Sequence, residues 1–267
     1  MMKLILLSIF VIYIFTGCSN KYNLDNRIQN AQNIALDANF YEDDIYTEVF
    51  TIKSFFKIKD KNLPIKFYIE GDGFAWVNKK IVSSNPTPIN PIALKLAVLD
   101  DYPNIVYLGR ACQYVTNDNC NNSYWTNKRF SQEAIDSINF AIDILKSRSD
   151  SEKIKLFGFS GGGAVAVLIA SLRLDVDEIT TVAGNLNHKL LHEYHNLPYM
   201  EDSLNPYDVA SLVSSIKQRH YVSSNDEVIP ISVIESFIGS SINNSDIKII
   251  DLIEPTHTHG WEEFFKK

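Results

Sequence analysis

Apolar positions along the chain recur with two different periods, and from about residue 104 the two alternate. Near the start, Ile28, Ala31, Ile34 and Ala35 fall at helical spacing within LDNRIQNAQNIALDA. Residues 46–58 (YTEVFTIKSFFKI) and 63–71 (LPIKFYIEG) read as two extended strands, with KDKN as the turn between them. Pro86, Pro88 and Pro91 mark a loop before a short helix at 93–99. Strands are then expected at 104–109, 153–159, 178–184, 219–224 and 246–253. Between them lie helical patterns at 131–147, with Ser131 as N-cap, and at 161–174, 205–216 and 230–238. A short helix from Trp261 ends the chain. This alternation predicts an α/β protein: a mainly parallel sheet with helices on both faces, to which the opening two strands add an antiparallel edge.

Composition fits that picture without sharpening it. The 267 residues are 45% hydrophobic and 21% charged, enough for a large core, with no repeat or low-complexity tract. The formal charge of -7 and the lack of any Lys/Arg run argue against a nucleic-acid partner. The first residues, MMKLILLSIFVIYIFTGCSN, stand apart. Lys3 precedes an apolar run, Leu4 to Phe15, that spans only about 18 Å as a helix against a hydrocarbon core of about 30 Å. FTGC resembles the lipobox of bacterial lipoproteins, with Phe15 in place of the usual leucine. That resemblance implies a signal peptide over 1–17, lipidation of Cys18, a short tether over 18–24 and a single domain over 18–267. An ordinary signal peptide or short anchor is the alternative. With Cys18 so used, Cys112 and Cys120 remain as a disulfide pair in an oxidising envelope, or as two separate buried thiols.

The chemistry centres on KIKLFGFSGGGAVAVLIA. Gly158, Ser160 and Gly162 fit G-x-S-x-G between a predicted strand and a predicted helix, the setting of a nucleophile elbow. A plain strand-to-helix turn is one alternative and a phosphate-cradling loop a weaker one, because no Lys-Ser/Thr follows the glycines. A nucleophilic serine needs a base, and the base an orienting carboxylate, each just past a strand end. NDEVIP offers Asp226, with Glu227 as competitor, and HTHGW offers His257, with His259 as competitor. For an oxyanion hole, Gly161 supplies one N–H, and IEGDGFAW supplies the other from Asp72 or Gly73, unless that segment is an ordinary turn.

Together IEGDGFAW, GFSGGGAVA, NDEVIP and HTHGW resemble the α/β-hydrolase family over most of the chain. Within it YLGRACQYV, YWTNKRFS and NLNHKLLHEYH are similar to a group of bacterial lipoproteins. The resemblance implies Ser160 as nucleophile, His257 as general base then acid, and Asp226 as its orienter. It also implies an exported, membrane-anchored serine hydrolase, a carboxylesterase or related acyl hydrolase. A peptidase, amidase or thioesterase would use the same residues, and a non-catalytic binding lipoprotein could keep the fold. The implied partners are a small or lipid-like acyl substrate and the membrane surface that holds Cys18. The implied location is the bacterial cell envelope, and Ser19 points towards the outer membrane. No cofactor or metal is expected.

Lids in this fold commonly follow the strand ending at 184. Only about 34 residues (185–218) precede the next strand, which predicts no large cap and an open site suited to a soluble substrate. His188, His192 and His195 share a helical face, expected to be polar rather than metal-binding. Tyr124, Trp125 and Arg129 either wall the pocket or pack beside the cysteine loop.

Overall fold

The computed structural model describes residues 22–241 and 246–266. The expected signal peptide, Cys18 and most of the expected tether lie outside the described residues. The described residues open with helix α1 (Leu24–Asp37), capped by Asn23, whose side chain accepts from the Asp25 N–H at 2.8 Å. Strands β1 (Tyr41–Tyr46), β2 (Thr51–Ile58) and β3 (Ile65–Ile69) follow, then a small hairpin, β4 (Trp76–Asn78) and β5 (Ile81–Val82). Helix α2 (Ile92–Leu99) leads to β6 (Asn104–Leu108). Next come α3 (Gln132–Lys146), β7 (Ile154–Phe159), α4 (Gly161–Ala170) and β8 (Val176–Val182). The last elements are α5 (His188–Tyr194), β9 (Lys217–Ser223), α6 (Ile231–Gly239), β10 (Ile247–Leu252) and α7 (Trp261–Phe265).

Eight strands form one sheet in the order β1-β2-β6-β3-β7-β8-β9-β10. From β6 to β10 every neighbour pair is parallel, and β2 joins β6 antiparallel. The period-two alternation of the strands sorts their side chains between two cores. Phe67, Ile69, Val106, Leu108 and Leu156 face the core under α3, α4 and α6. Tyr68, Tyr107, Phe157 and Phe159 face the one under α1, α2 and α7. Helix α4 is buried at every residue, consistent with its lack of any polar stripe.

Three expectations change. The strand expected over 46–58 starts only at Thr51, as β2, and a further, unexpected strand, β1, ends at Tyr46; between them the chain reverses at Thr47. Its N–H and hydroxyl both bond the Phe50 carbonyl, at 3.0 and 2.6 Å, while the apolar alternation runs on through the turn. The edge hairpin is therefore β1–β2. Strand β3 does not pair with β2 across KDKN; it lies inside the sheet, with β6 between them. The Asn104 side chain fixes that departure, accepting the Lys59 and Asp60 N–H groups at 3.0 Å each. Finally, 205–216 holds only a 3-10 turn at Pro206–Val209. Its polar side chains bond elsewhere: Asn205 accepts from the His188 N–H at 3.1 Å, and the Ser214 hydroxyl donates to the Ser211 carbonyl at 2.8 Å.

Candidate active site

The parallel strands all deliver their carboxyl ends to one side of the sheet, and the candidate residues gather there. At the end of β7 the chain turns so sharply that Ser160 takes φ 51°, ψ -119°, a left-sided conformation for a non-glycine residue. The surroundings enforce this geometry. The Ser160 N–H donates to the Val182 carbonyl at 2.9 Å, and its own carbonyl accepts from Gly163 and Asn185 at 2.9 and 3.0 Å. A Cβ on Gly158 would collide with the Gly162 carbonyl, and one on Gly162 with the Ile69 carbonyl. The two flanking glycines are thus required by space: the turn brings α4 against the ends of β3 and β7.

Asp226 follows β9, where its N–H closes a turn on the Ser223 carbonyl at 3.0 Å. Its Oδ1 accepts the Val228 and Ile229 N–H groups at 2.8 and 3.0 Å, leaving Oδ2 aimed at His257. His257 lies past β10, and its backbone carbonyl accepts from the buried Trp261 indole at 3.1 Å. Its Nδ1 stands 2.8 Å from Asp226 Oδ2, and its Nε2 stands 3.0 Å from Ser160 Oγ. Glu227 takes no part in this line. His259 Nδ1 faces the neighbouring Thr258 hydroxyl at 3.0 Å.

The loop after β3 closes the opposite side. A Cβ on Gly71 would touch Ser160 Cβ at 3.3 Å, and one on Gly161 would collide with the Asp72 carboxylate. Gly161 and Asp72 are therefore adjacent, and neither N–H donates to another group among the described residues. The Asp72 carboxylate pairs with Arg129, at 2.5 Å, and Arg110, at 3.4 Å. Burial alone would raise its pKa, but the two guanidinium groups outweigh burial and hold it below the usual carboxylate value. Burial lowers Arg110 to about 10, still protonated at neutral pH.

Three residues of this region lie within the motifs IEGDGFAW and YLGRACQYV, but sequence reasoning assigns them no role. Gln113 donates to the Gly71 carbonyl at 2.9 Å and accepts the Arg110 N–H at 3.0 Å. Arg110 itself also donates to the Arg129 carbonyl. Behind the loop, Glu70 is almost fully buried. Its Oε1 accepts the Gly71 N–H at 2.9 Å and the Ala93 N–H at 3.4 Å, at the start of a helix whose Pro91 cap offers no side-chain acceptor. Its Oε2 accepts from the Tyr107 hydroxyl at 3.1 Å, which in turn lies 2.9 Å from that of Tyr114. Burial raises Glu70 to about 7 against the lowering effect of these bonds. A charged residue immediately before a glycine turn was the available clue.

Ser160 and His257 line a cavity of about 550 Å³, walled by Asp72, Phe74, Trp76 and Arg129. A second cavity, of about 580 Å³, lies beside α3, α4 and α5 and includes neither residue. Trp125 is buried, its indole donating to the Ser83 carbonyl at 3.0 Å, and Tyr124 packs edge-on against Phe50. Cys112 and Cys120 form a disulfide. The α5 histidine face turns inward: His188 is buried and lowered to about 4 by that burial, and His195 lies just past the helix. Among the described residues no group of three or more His, Cys, Asp or Glu side chains gathers to hold a metal.

No protein-family model and no curated protein matches the chain. Solved structures do. Est1E from Butyrivibrio proteoclasticus superposes with a TM-score of 0.59 at 11% identity, over 84% of this chain and 96% of that one. The esterase domain of a Rhodothermus marinus protein gives 0.58 at 9% identity, over 85% and 93%. An α/β serine hydrolase homologue from Coxiella burnetii gives 0.57 at 14% identity, over 85% and 95%. The chain has the α/β-hydrolase fold, with no large cap inserted after β8.

Proposed function

We propose that the protein is a serine hydrolase that cleaves acyl esters through an acyl-enzyme. The observation that carries this reading is the unbroken line from Asp226 Oδ2 to His257 Nδ1 (2.8 Å) and from His257 Nε2 to Ser160 Oγ (3.0 Å). Ser160 Oγ attacks the carbonyl carbon while its proton passes to His257 Nε2, and Asp226 holds the Nδ1–H so that the ring presents the correct tautomer. The carbonyl oxygen, now negative, takes hydrogen bonds from the Gly161 and Asp72 N–H groups. His257 then protonates the leaving alcohol as the tetrahedral centre collapses. A water, deprotonated by the same nitrogen, releases the acid and restores Ser160.

Ester cleavage is preferred over amide cleavage because two of the similar structures bear esterase names. Export and anchoring through a lipidated Cys18 belong to the same reading; they rest on the lipobox-like FTGC and place the enzyme in the bacterial cell envelope. The test is a fluorophosphonate probe with intact-mass analysis. A single adduct on the wild-type chain, absent from Ser160→Ala, is expected. A folded chain that takes no adduct overturns the catalytic reading and favours a binding lipoprotein.

A further inference from the structure

The start of the described chain lies against the rim of the candidate site. The Tyr22 ring packs on Phe74, centroids 5.5 Å apart, and the Arg27 guanidinium lies 5.2 Å from the same ring. Phe74 is two residues past Asp72 and lines the Ser160 cavity. Cys18 precedes Tyr22 by four residues, and four residues reach at most about 14 Å. An acyl group on Cys18 would therefore bring the bilayer surface close to the mouth of the cavity.

The surface beside that point has the composition of a lipid-seeking face. The β4–β5 hairpin follows Phe74 directly and leaves Trp76, Val77 and Ile81 exposed at 42, 53 and 55%. Lys79 and Lys80 form its exposed turn. Indole rings settle at the headgroup level of a bilayer, and lysines there pair with anionic headgroups. Elsewhere the charge balance is unfavourable, since the whole chain carries a formal -7. Two lysines and three apolar side chains would not hold such a chain on a membrane, but they suffice to orient one already tethered.

We propose that the face formed by Tyr22, Phe74 and the β4–β5 hairpin rests on an anionic lipid bilayer, so that the Ser160 cavity opens towards the membrane. The inference rests on the anchoring part of the reading above and not on catalysis. It makes the substrate an amphiphile whose ester group is presented at the surface, rather than the freely soluble ester that an uncapped site suggests.

Trp76 reports on this directly, because the other two tryptophans, Trp125 and Trp261, are buried. The full chain would be purified in detergent from bacterial membranes, its Cys18 acylation checked by intact mass. It would then be reconstituted into phosphatidylglycerol–phosphatidylethanolamine vesicles with and without brominated acyl chains. Expected are quenching of wild-type emission by the brominated lipid and protection from aqueous iodide. Trp76→Phe should lose the bromine quenching and any vesicle-dependent change in iodide quenching, since the two buried tryptophans are shielded throughout, and Lys79→Glu with Lys80→Glu should weaken both effects. Emission open to iodide and untouched by bromine would overturn the proposal. So would iodide protection without bromine quenching, which means that another protein surface covers the hairpin. A Cys18 without acyl groups removes the premise and overturns it as well. Ser160→Ala should quench like wild type, so loss of the catalytic reading and loss of this one are read separately.

Discussion

The two sides of the Ser160 cavity are built by different means. On the histidine side, Ser160, Asp226 and His257 each follow a parallel strand, and the last two are held by groups within a few residues of themselves: Asp226 by Val228 and Ile229, His257 by Trp261. On the Asp72 side the bracing groups come from far along the chain. Arg110 and Arg129 reach Asp72 across 38 and 57 positions, and Gln113 reaches Gly71 across 42. The first side concentrates hydrogen bonds that matter most in a transition state. The second places buried charge where it governs whether the loop stays in position. Perturbing the first should therefore remove rate, and perturbing the second should mostly remove stability.

The largest effect is expected at Asp226. Asp226→Asn keeps an oxygen for the Val228 and Ile229 N–H groups, so the fold should hold, but it presents the wrong partner to His257 Nδ1. A fall in kcat of about 10⁴ is expected, roughly 5.5 kcal/mol of barrier. Steady-state hydrolysis of a chromogenic ester, alongside thermal unfolding, tests it. A loss below tenfold with the fold intact would remove Asp226 from its role.

Glu70 breaks the comparison from the other side. Its pKa in the folded chain is about 7 against an ordinary 4.5, so between those values the folded state binds more protons than the unfolded one. Its contribution is therefore fully present below about pH 4.5 and is lost as pH rises through about 7. The difference amounts to on the order of 3 kcal/mol. Glu70→Gln, which mimics the protonated acid, should lose less stability than wild type in urea unfolding between pH 5 and pH 8. Parallel pH dependences for the two chains would show that Glu70 does not titrate there.

A somewhat smaller loss follows from opening the disulfide. Cys112 and Cys120 are eight positions apart, and the loop they close contains Gln113, the brace on Gly71. Loop-closure entropy puts the loss at about 2.5 kcal/mol. The double Cys112→Ser, Cys120→Ser variant should unfold at correspondingly lower urea while still taking the fluorophosphonate probe. An unchanged midpoint would leave the crosslink without a stabilising role.

The same contrast explains what could be read from the sequence. The parallel sheet, the sharp turn at Ser160 and the strand-end placement of Asp226 and His257 were legible, because each depends on a short segment whose spacing states its geometry. The β1–β2 turn was not, since a Thr47 side chain substitutes for the glycine or proline that normally signals a reversal. Nor was the insertion of β6 between β2 and β3, which is a matter of sheet order and leaves no mark in either strand. The roles of Glu70, Arg110 and Gln113 are hidden for a related reason: a buried polar or charged side chain announces itself only through partners dozens of residues away. The segment 205–216 has a helical apolar spacing but no helix, because Asn205 bonds across the fold to the His188 N–H and the Ser214 hydroxyl bonds the Ser211 carbonyl.

The finest discrimination concerns the two histidines of HTHGW, two residues apart and both lining the cavity. Only His257 stands between Ser160 and Asp226; the His259 side chain bonds its neighbour Thr258, and its backbone carbonyl accepts the Thr256 N–H at 3.0 Å. Truncating His259 to Ala leaves that carbonyl in place and removes no partner of a buried group, so stability should move by no more than about 0.5 kcal/mol. Its effect on rate should be a small change in KM, from a pocket wall that has become less polar. His257→Ala should instead remove the proton acceptor and with it labelling of Ser160. Comparing probe labelling rates of the two variants separates the roles even without the natural substrate. Equal losses would mean that both rings work on the same proton, which the single 3.0 Å approach to Ser160 Oγ does not accommodate.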